Sequence, residues 1–65
     1  MAGIEMKKMV ETLYERDVSR DTFLSIILLM QSEEMAKVMN DWLCLNPKAT
    51  QRRIIQHALR LNRSR

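Results

Sequence analysis

The sequence has few of the residues that cross-link a small protein or interrupt its helices. Its 65 residues include one cysteine, one glycine and one proline. A single cysteine excludes an intrachain disulfide, and Cys44 and His57 together cannot supply the four ligands of a structural zinc site. Helix packing and oligomerisation are then the remaining ways to stabilise a chain this short.

The sequence also lacks a recognisable catalytic group. His57 is the only histidine, and no nucleophile or orienting partner is evident for it. Carboxylates spaced one helical turn apart, such as Glu11 and Glu15, are common on solvated helices and do not indicate acid–base chemistry. We therefore expect a protein that is not an enzyme and that has no catalytic residues, no metal, no cofactor and no small-molecule substrate.

No apolar run is long enough to cross a membrane. The longest, residues 23–30, is interrupted by Ser25 and falls far short of the roughly 20 residues that a transmembrane helix needs. Lys7 and Lys8 are not followed by the apolar segment and cleavage site of a signal peptide. We expect a cytoplasmic protein without a transmembrane segment, in which Cys44 stays reduced.

Apolar residues recur with the period of an α-helix in four segments. The predicted helices span about residues 4–15, 20–31, 33–45 and 51–61. Three of them are preceded by a residue that favours the N-cap position. These residues are Ser19, Ser32 and Thr50. The patterns and the caps predict four separate helices, although a kink at Ser32 would join the second to the third.

Short connections between the four helices predict a compact all-α bundle. No segment alternates apolar and polar residues with the period of a β-strand. We expect a single domain over residues 1–65, in which residues 62–65 form a basic, frayed tail.

The second predicted helix is apolar around most of its circumference, with a narrow polar strip. A helix of this kind is normally buried on nearly all sides, but a bundle of this length has little surface with which to cover it. The sequence therefore predicts a homo-oligomer, a dimer in the simplest case, with the second helix at its interface. The residues expected at that interface are Phe23, Leu24, Ile27 and Leu28.

Charge is divided unevenly along the chain. Residues 1–45 hold five basic and all eight acidic side chains, a net charge of −3, whereas residues 46–65 hold six basic and no acidic side chains, a net charge of +6. Arginine binds phosphate or guanine and glutamine can pair with adenine, so the polar face of the fourth helix suits nucleic acid. The candidate nucleic-acid-binding residues are Arg52, Arg53, Gln56, Arg60 and Arg63.

Other interpretations of the basic face stay open. It can be solvated, or paired with acidic side chains of the same chain or of a second copy, and it can bind an acidic protein or a membrane surface. The face contains no aromatic side chain of its own, so we expect duplex DNA rather than a single strand that stacks on aromatic rings. Exposure of the face and the absence of acidic neighbours would favour DNA.

The sequence therefore leaves two candidate functions. The leading one is a non-enzymatic protein–protein interaction module that self-associates through its second helix. The alternative is a small DNA-binding regulatory protein that uses its C-terminal helix.

Trp42 lies in the apolar stripe of the third helix, where we expect it to anchor the core, with a role at an interface as the second possibility.

Overall fold

The computed structural model describes residues 3–64 and confirms the all-α prediction. Within that range there are four helices and no strand. The helices are α1 (Ile4–Glu15), α2 (Arg20–Leu29), α3 (Glu33–Leu45) and α4 (Gln51–Arg63). They form a compact body that measures 29 × 23 × 22 Å.

The helices begin where local side-chain chemistry predicts. In α2, α3 and α4 the hydroxyl of the predicted N-cap residue accepts a hydrogen bond from a backbone N–H in the first turn. The pairs are Ser19 with Thr22 (3.2 Å), Ser32 with Met35 (3.1 Å) and Thr50 with Arg53 (3.3 Å). Such caps satisfy backbone donors that have no partner inside the helix.

Two helix ends differ from the prediction. Met30 has an extended backbone, so α2 ends at Leu29, two residues early, and α2 and α3 are separate helices. At the other end of the chain, α4 continues to Arg63, where Asn62 Nδ2 donates a hydrogen bond to the carbonyl oxygen of Leu29 (3.0 Å). Asn62 and Arg63 are thus helical rather than frayed, which corrects the predicted end of the fourth helix. Arg65 lies outside the described residues.

Helices α1 and α3 pack against each other in parallel. At their N-terminal ends the backbone N–H of Glu5 donates to Oε1 of Glu33 (2.8 Å). At their C-terminal ends the Arg16 guanidinium donates to the carbonyl oxygens of Leu43 and Asn46. The first contact satisfies a backbone donor in the first turn of α1, and the second adds a charged donor to two carbonyl oxygens that also accept from the backbone N–H groups of Asn46 and Ala49. Together the two contacts fix the register of the pair.

Helices α2 and α4 form a second parallel pair. The backbone N–H of Ser19 donates to the side-chain oxygen of Gln51 at the start of both helices, and Asn62 contacts Leu29 at their ends. Helix α4 also packs against α3. This arrangement places α4 between α2 and α3.

The core consists of apolar side chains from all four helices and from Met30. Its buried residues are Met9, Leu13, Ile26, Met30, Met35, Ala36, Met39, Leu43, Ile54 and Ala58. Six of these ten belong to α1 and α3, whereas α2 contributes only Ile26. Full burial of a large apolar side chain is worth about 1.5–3 kcal/mol, so the α1–α3 pair provides most of the core energy.

The contact of Arg16 with the end of α3 gives the first testable prediction. Replacing Arg16 with alanine leaves the carbonyl oxygens of Leu43 and Asn46 without this donor. We expect the variant to lose about 1–2 kcal/mol of unfolding free energy, measured by urea denaturation. Lys8→Ala on the exposed side of α1 is the matched control and should change stability little. Equal losses in the two variants would contradict a capping role for Arg16.

Candidate functional site

One side of α2 stays exposed despite the apolar composition of the helix. Leu24 is 46% and Leu28 is 79% exposed, and Ile26 is the one α2 residue that is fully buried. Of the four residues expected at an interface, Leu24 and Leu28 are therefore solvent-exposed, while Phe23 and Ile27 are partly buried. The single chain does not cover its most apolar helix.

An aromatic residue of α1 extends this exposed surface. Tyr14 is 74% exposed, and its ring centroid lies 5.0 Å from that of Phe23. The helical period groups Tyr14 with the apolar residues of α1, which would place it on the inward side, but Leu13 is the residue that is buried at this end of the helix. We call the surface formed by Tyr14, Phe23, Leu24, Ile27 and Leu28 the α2 patch.

A groove runs along the edge of the α2 patch, where the end of α1 meets the start of α2. It has a volume of about 490 Å³. Its lining residues are Leu13, Tyr14, Arg16, Val18, Arg20, Phe23 and Leu24. The walls are mainly apolar, so the groove favours an apolar side chain from another molecule over a polar ligand.

The polar face of α4 is exposed along the whole helix. All five candidate nucleic-acid-binding residues are exposed. Within residues 3–64 the sole ion pair joins Lys37 to Asp41 on α3, with a distance of 3.5 Å between Nζ and Oδ2. The arginines of this face are therefore not neutralised by acidic side chains in the described part of the chain.

Trp42 of α3 lies against this basic face. Its ring stacks on that of His57, with centroids 4.3 Å apart and planes inclined by 11°. A pocket of about 160 Å³ opens beside the stack, and it is lined by Trp42, Arg53, Gln56, His57 and Arg60. Trp42 also packs against the core, as expected. The candidate binding residues of α4 include no aromatic side chain, as expected, but the packing of α3 brings the Trp42 ring beside them.

The surroundings of His57 favour its neutral form. Burial lowers the pKa of His57 below its ordinary value of 6.5, and the positive charge of Arg60 lowers the pKa further. A neutral imidazole has one N–H donor and one nitrogen acceptor. The helical period places His57 beside Arg53 and Arg60, but its contact with the Trp42 indole depends on the packing of α3 against α4.

Comparison of the chain with protein-family models, with curated proteins and with solved structures found no match. Among residues 3–64, no three or more His, Cys, Asp or Glu side chains lie together as a metal site would require. In the same range, none of the helices combines the length and the apolar character needed to span a bilayer.

The lowered pKa of His57 predicts a pH dependence of stability. Between the folded-state pKa and 6.5 the unfolded chain binds more protons than the folded one, so the unfolding free energy rises with pH in that window. His57 thus contributes stability that is present above pH 6.5 and is lost as the pH falls through the folded-state pKa.

Urea denaturation from about pH 7.5 to about pH 5, followed by circular dichroism, measures this effect across the range in which histidine titrates. His57→Gln is the control, because its side chain does not titrate. We expect the wild type to lose more stability than His57→Gln on acidification. Identical pH profiles of the two proteins would show that the burial of His57 has no energetic consequence.

Proposed function

We propose that this chain is a non-enzymatic protein–protein interaction module that forms a homodimer through the α2 patch. The observation that supports it is the exposure of Leu28, with 79% of its surface open to solvent in the most apolar helix of the chain. Leu24 lies one turn away on the same side of α2. Contiguous exposed apolar surface of this kind is typical of interaction sites.

The composition of the α2 patch favours a second copy of the same chain as the partner. The five residues of the patch are uncharged, and the two arginines of the adjoining groove, Arg16 and Arg20, would lie at the rim of an interface between two copies related by a two-fold axis. A standard interface buries about 800 Å² on each partner, and the exposed Tyr14 would add to the area that α2 supplies. Oligomerisation is also a common way to stabilise a domain of this size.

A charge placed in the α2 patch should separate the dimer. We expect the wild type to have the mass of a dimer by light scattering after gel filtration, and Leu28→Glu to have that of a monomer. Burying an unpaired carboxylate at an interface is strongly unfavourable. Leu24→Glu should act in the same way.

Leu45→Glu is the matched control for Leu28→Glu. Leu45 is 81% exposed but lies at the end of α3, outside the α2 patch. The two substitutions change the same residue type at equal exposure, so circular dichroism should show both variants folded, with Leu45→Glu still dimeric. A monomeric wild type at all concentrations tested, or a dimeric, folded Leu28→Glu, would overturn the proposal.

We propose duplex DNA binding through the basic face of α4 as a second function. Its support is the exposure of the four arginines without an ion pair in the described part of the chain. The final 20 residues also contain no acidic side chain. Guanidinium groups bind phosphates and guanine edges, and a glutamine between them can contact adenine.

Charge reversal on α4 tests this second function. We expect the wild type to bind a fluorescent mixed-sequence duplex in an anisotropy titration. The logarithm of the binding constant should fall linearly with the logarithm of the salt concentration, with a slope of about −0.9 for each phosphate contacted. Arg52→Glu combined with Arg63→Glu should abolish binding. Lys7→Glu combined with Lys8→Glu changes the net charge by the same amount, but on α1. This variant should retain most of the duplex binding. If both double variants lost the same amount of duplex affinity, binding would depend on net charge alone and not on the basic face of α4.

A further inference from the structure

The pocket between α3 and α4 brings together hydrogen-bond donors that suit an anion. Arg53, Gln56, His57 and Arg60 follow one another at intervals of three, one and three residues, so they share one side of α4. Trp42 lines the pocket from α3. No acidic side chain is among the lining residues, and the volume of about 160 Å³ is several times what one water molecule needs.

We propose that this pocket binds a phosphate group. Arg53 and Arg60 contact its oxygens, Gln56 donates through its side-chain amide, and the stacked rings of Trp42 and His57 form one wall. This inference rests on the second proposed function, because it assigns the phosphate to the backbone of the bound duplex.

Two features favour phosphate over other ligands. Arg60 lies seven positions after Arg53, about 10 Å along the helix, and both side chains line the pocket. A phosphate presents several acceptor oxygens and suits this arrangement, since arginine binds phosphate through paired hydrogen bonds. A nucleobase suits it less, because His57 already covers one face of the indole.

A second depression continues the pocket along α4 and favours a polymer of phosphates over a single free ion. It is lined by Gln56, Leu59, Arg60, Arg63 and Ser64 and has a volume of about 390 Å³. It shares Gln56 and Arg60 with the first pocket and adds Arg63. Successive cationic sites along one helix are what the backbone of a nucleic acid requires.

His57 reports on the charge in the pocket. On α4 it is flanked by Arg53 and Arg60, and on α3 it stacks on Trp42. Asp41 precedes Trp42 in the sequence, but its carboxylate pairs with Lys37 and does not line the pocket. A bound phosphate adds negative charge beside the imidazole, opposes the effect of Arg60 and so raises the pKa of His57.

The test is a pH titration of the ring protons of His57 by NMR, which is unambiguous because the chain has one histidine. The titration is repeated with inorganic phosphate, with a short DNA duplex, with phosphatidylserine vesicles, and with sodium chloride at matched ionic strength. We expect phosphate and duplex to raise the pKa of His57 more than chloride does. Arg53→Gln should lose this additional increase, whereas Lys8→Gln, which also removes one positive charge but lies on α1 and outside both proposed surfaces, should keep it.

The outcomes separate the pocket from the proposed function. Duplex binding by anisotropy with no increase at His57 beyond that in chloride would overturn the phosphate pocket and leave DNA binding in place. An increase with inorganic phosphate but no duplex binding would support the pocket and overturn the DNA function. An increase with phosphatidylserine vesicles and none with duplex would assign the phosphate to a membrane surface. No increase with any of these probes would overturn the pocket, as would an unchanged increase in Arg53→Gln.

Discussion

The rest of the fold depends on the parallel packing of α1 against α3. This is the most extensive helix contact in the protein, and it supplies six of the ten buried core residues. Its register is fixed at both ends, where Glu33 accepts from the start of α1 and Arg16 donates to the end of α3. The other two helices contribute fewer buried residues to the core. Helix α2 and helix α4 each cover the remaining side with one or two buried residues, namely Ile26 from α2, and Ile54 and Ala58 from α4.

The two candidate surfaces follow from that unequal division of the core. Helix α2 is apolar on more sides than one neighbour can cover, so Leu24 and Leu28 remain in solvent. Helix α4 has a sharply divided composition, so the side that does not contact α2 and α3 is left with arginines. The parallel contact between these helices, fixed by Gln51 and Asn62 at its two ends, holds both surfaces on one rigid pair. A 65-residue chain thus exposes one apolar and one basic surface without any buried polar residue in its described part.

The sequence predicted those features that depend on local chemistry. Ser19, Ser32 and Thr50 cap helices through hydrogen bonds to residues three positions later, so their roles can be read from short windows of sequence. Features that depend on a neighbouring helix could not be predicted in this way. The extension of α4 is supported by a hydrogen bond from Asn62 to the carbonyl group of Leu29, 33 residues away in the sequence. The stack of Trp42 on His57 joins α3 to α4, and the apolar pattern of either helix does not predict which residues of the other it contacts. Helical periodicity states which residues share a face, but not which helix, if any, covers that face.

Dimerisation through the α2 patch would strengthen DNA binding through α4. The α2 patch and the basic face of α4 have no residue in common, so a dimer formed through the patch would leave two basic faces available. One face offers only four arginines, and each contact to a phosphate on an exposed surface is weak and sensitive to salt. If the two faces of such a dimer reached the same duplex, the second contact would form at a high effective concentration. Substitutions in the α2 patch would therefore weaken DNA binding without touching any residue on α4, because dissociation of the dimer removes the second basic face.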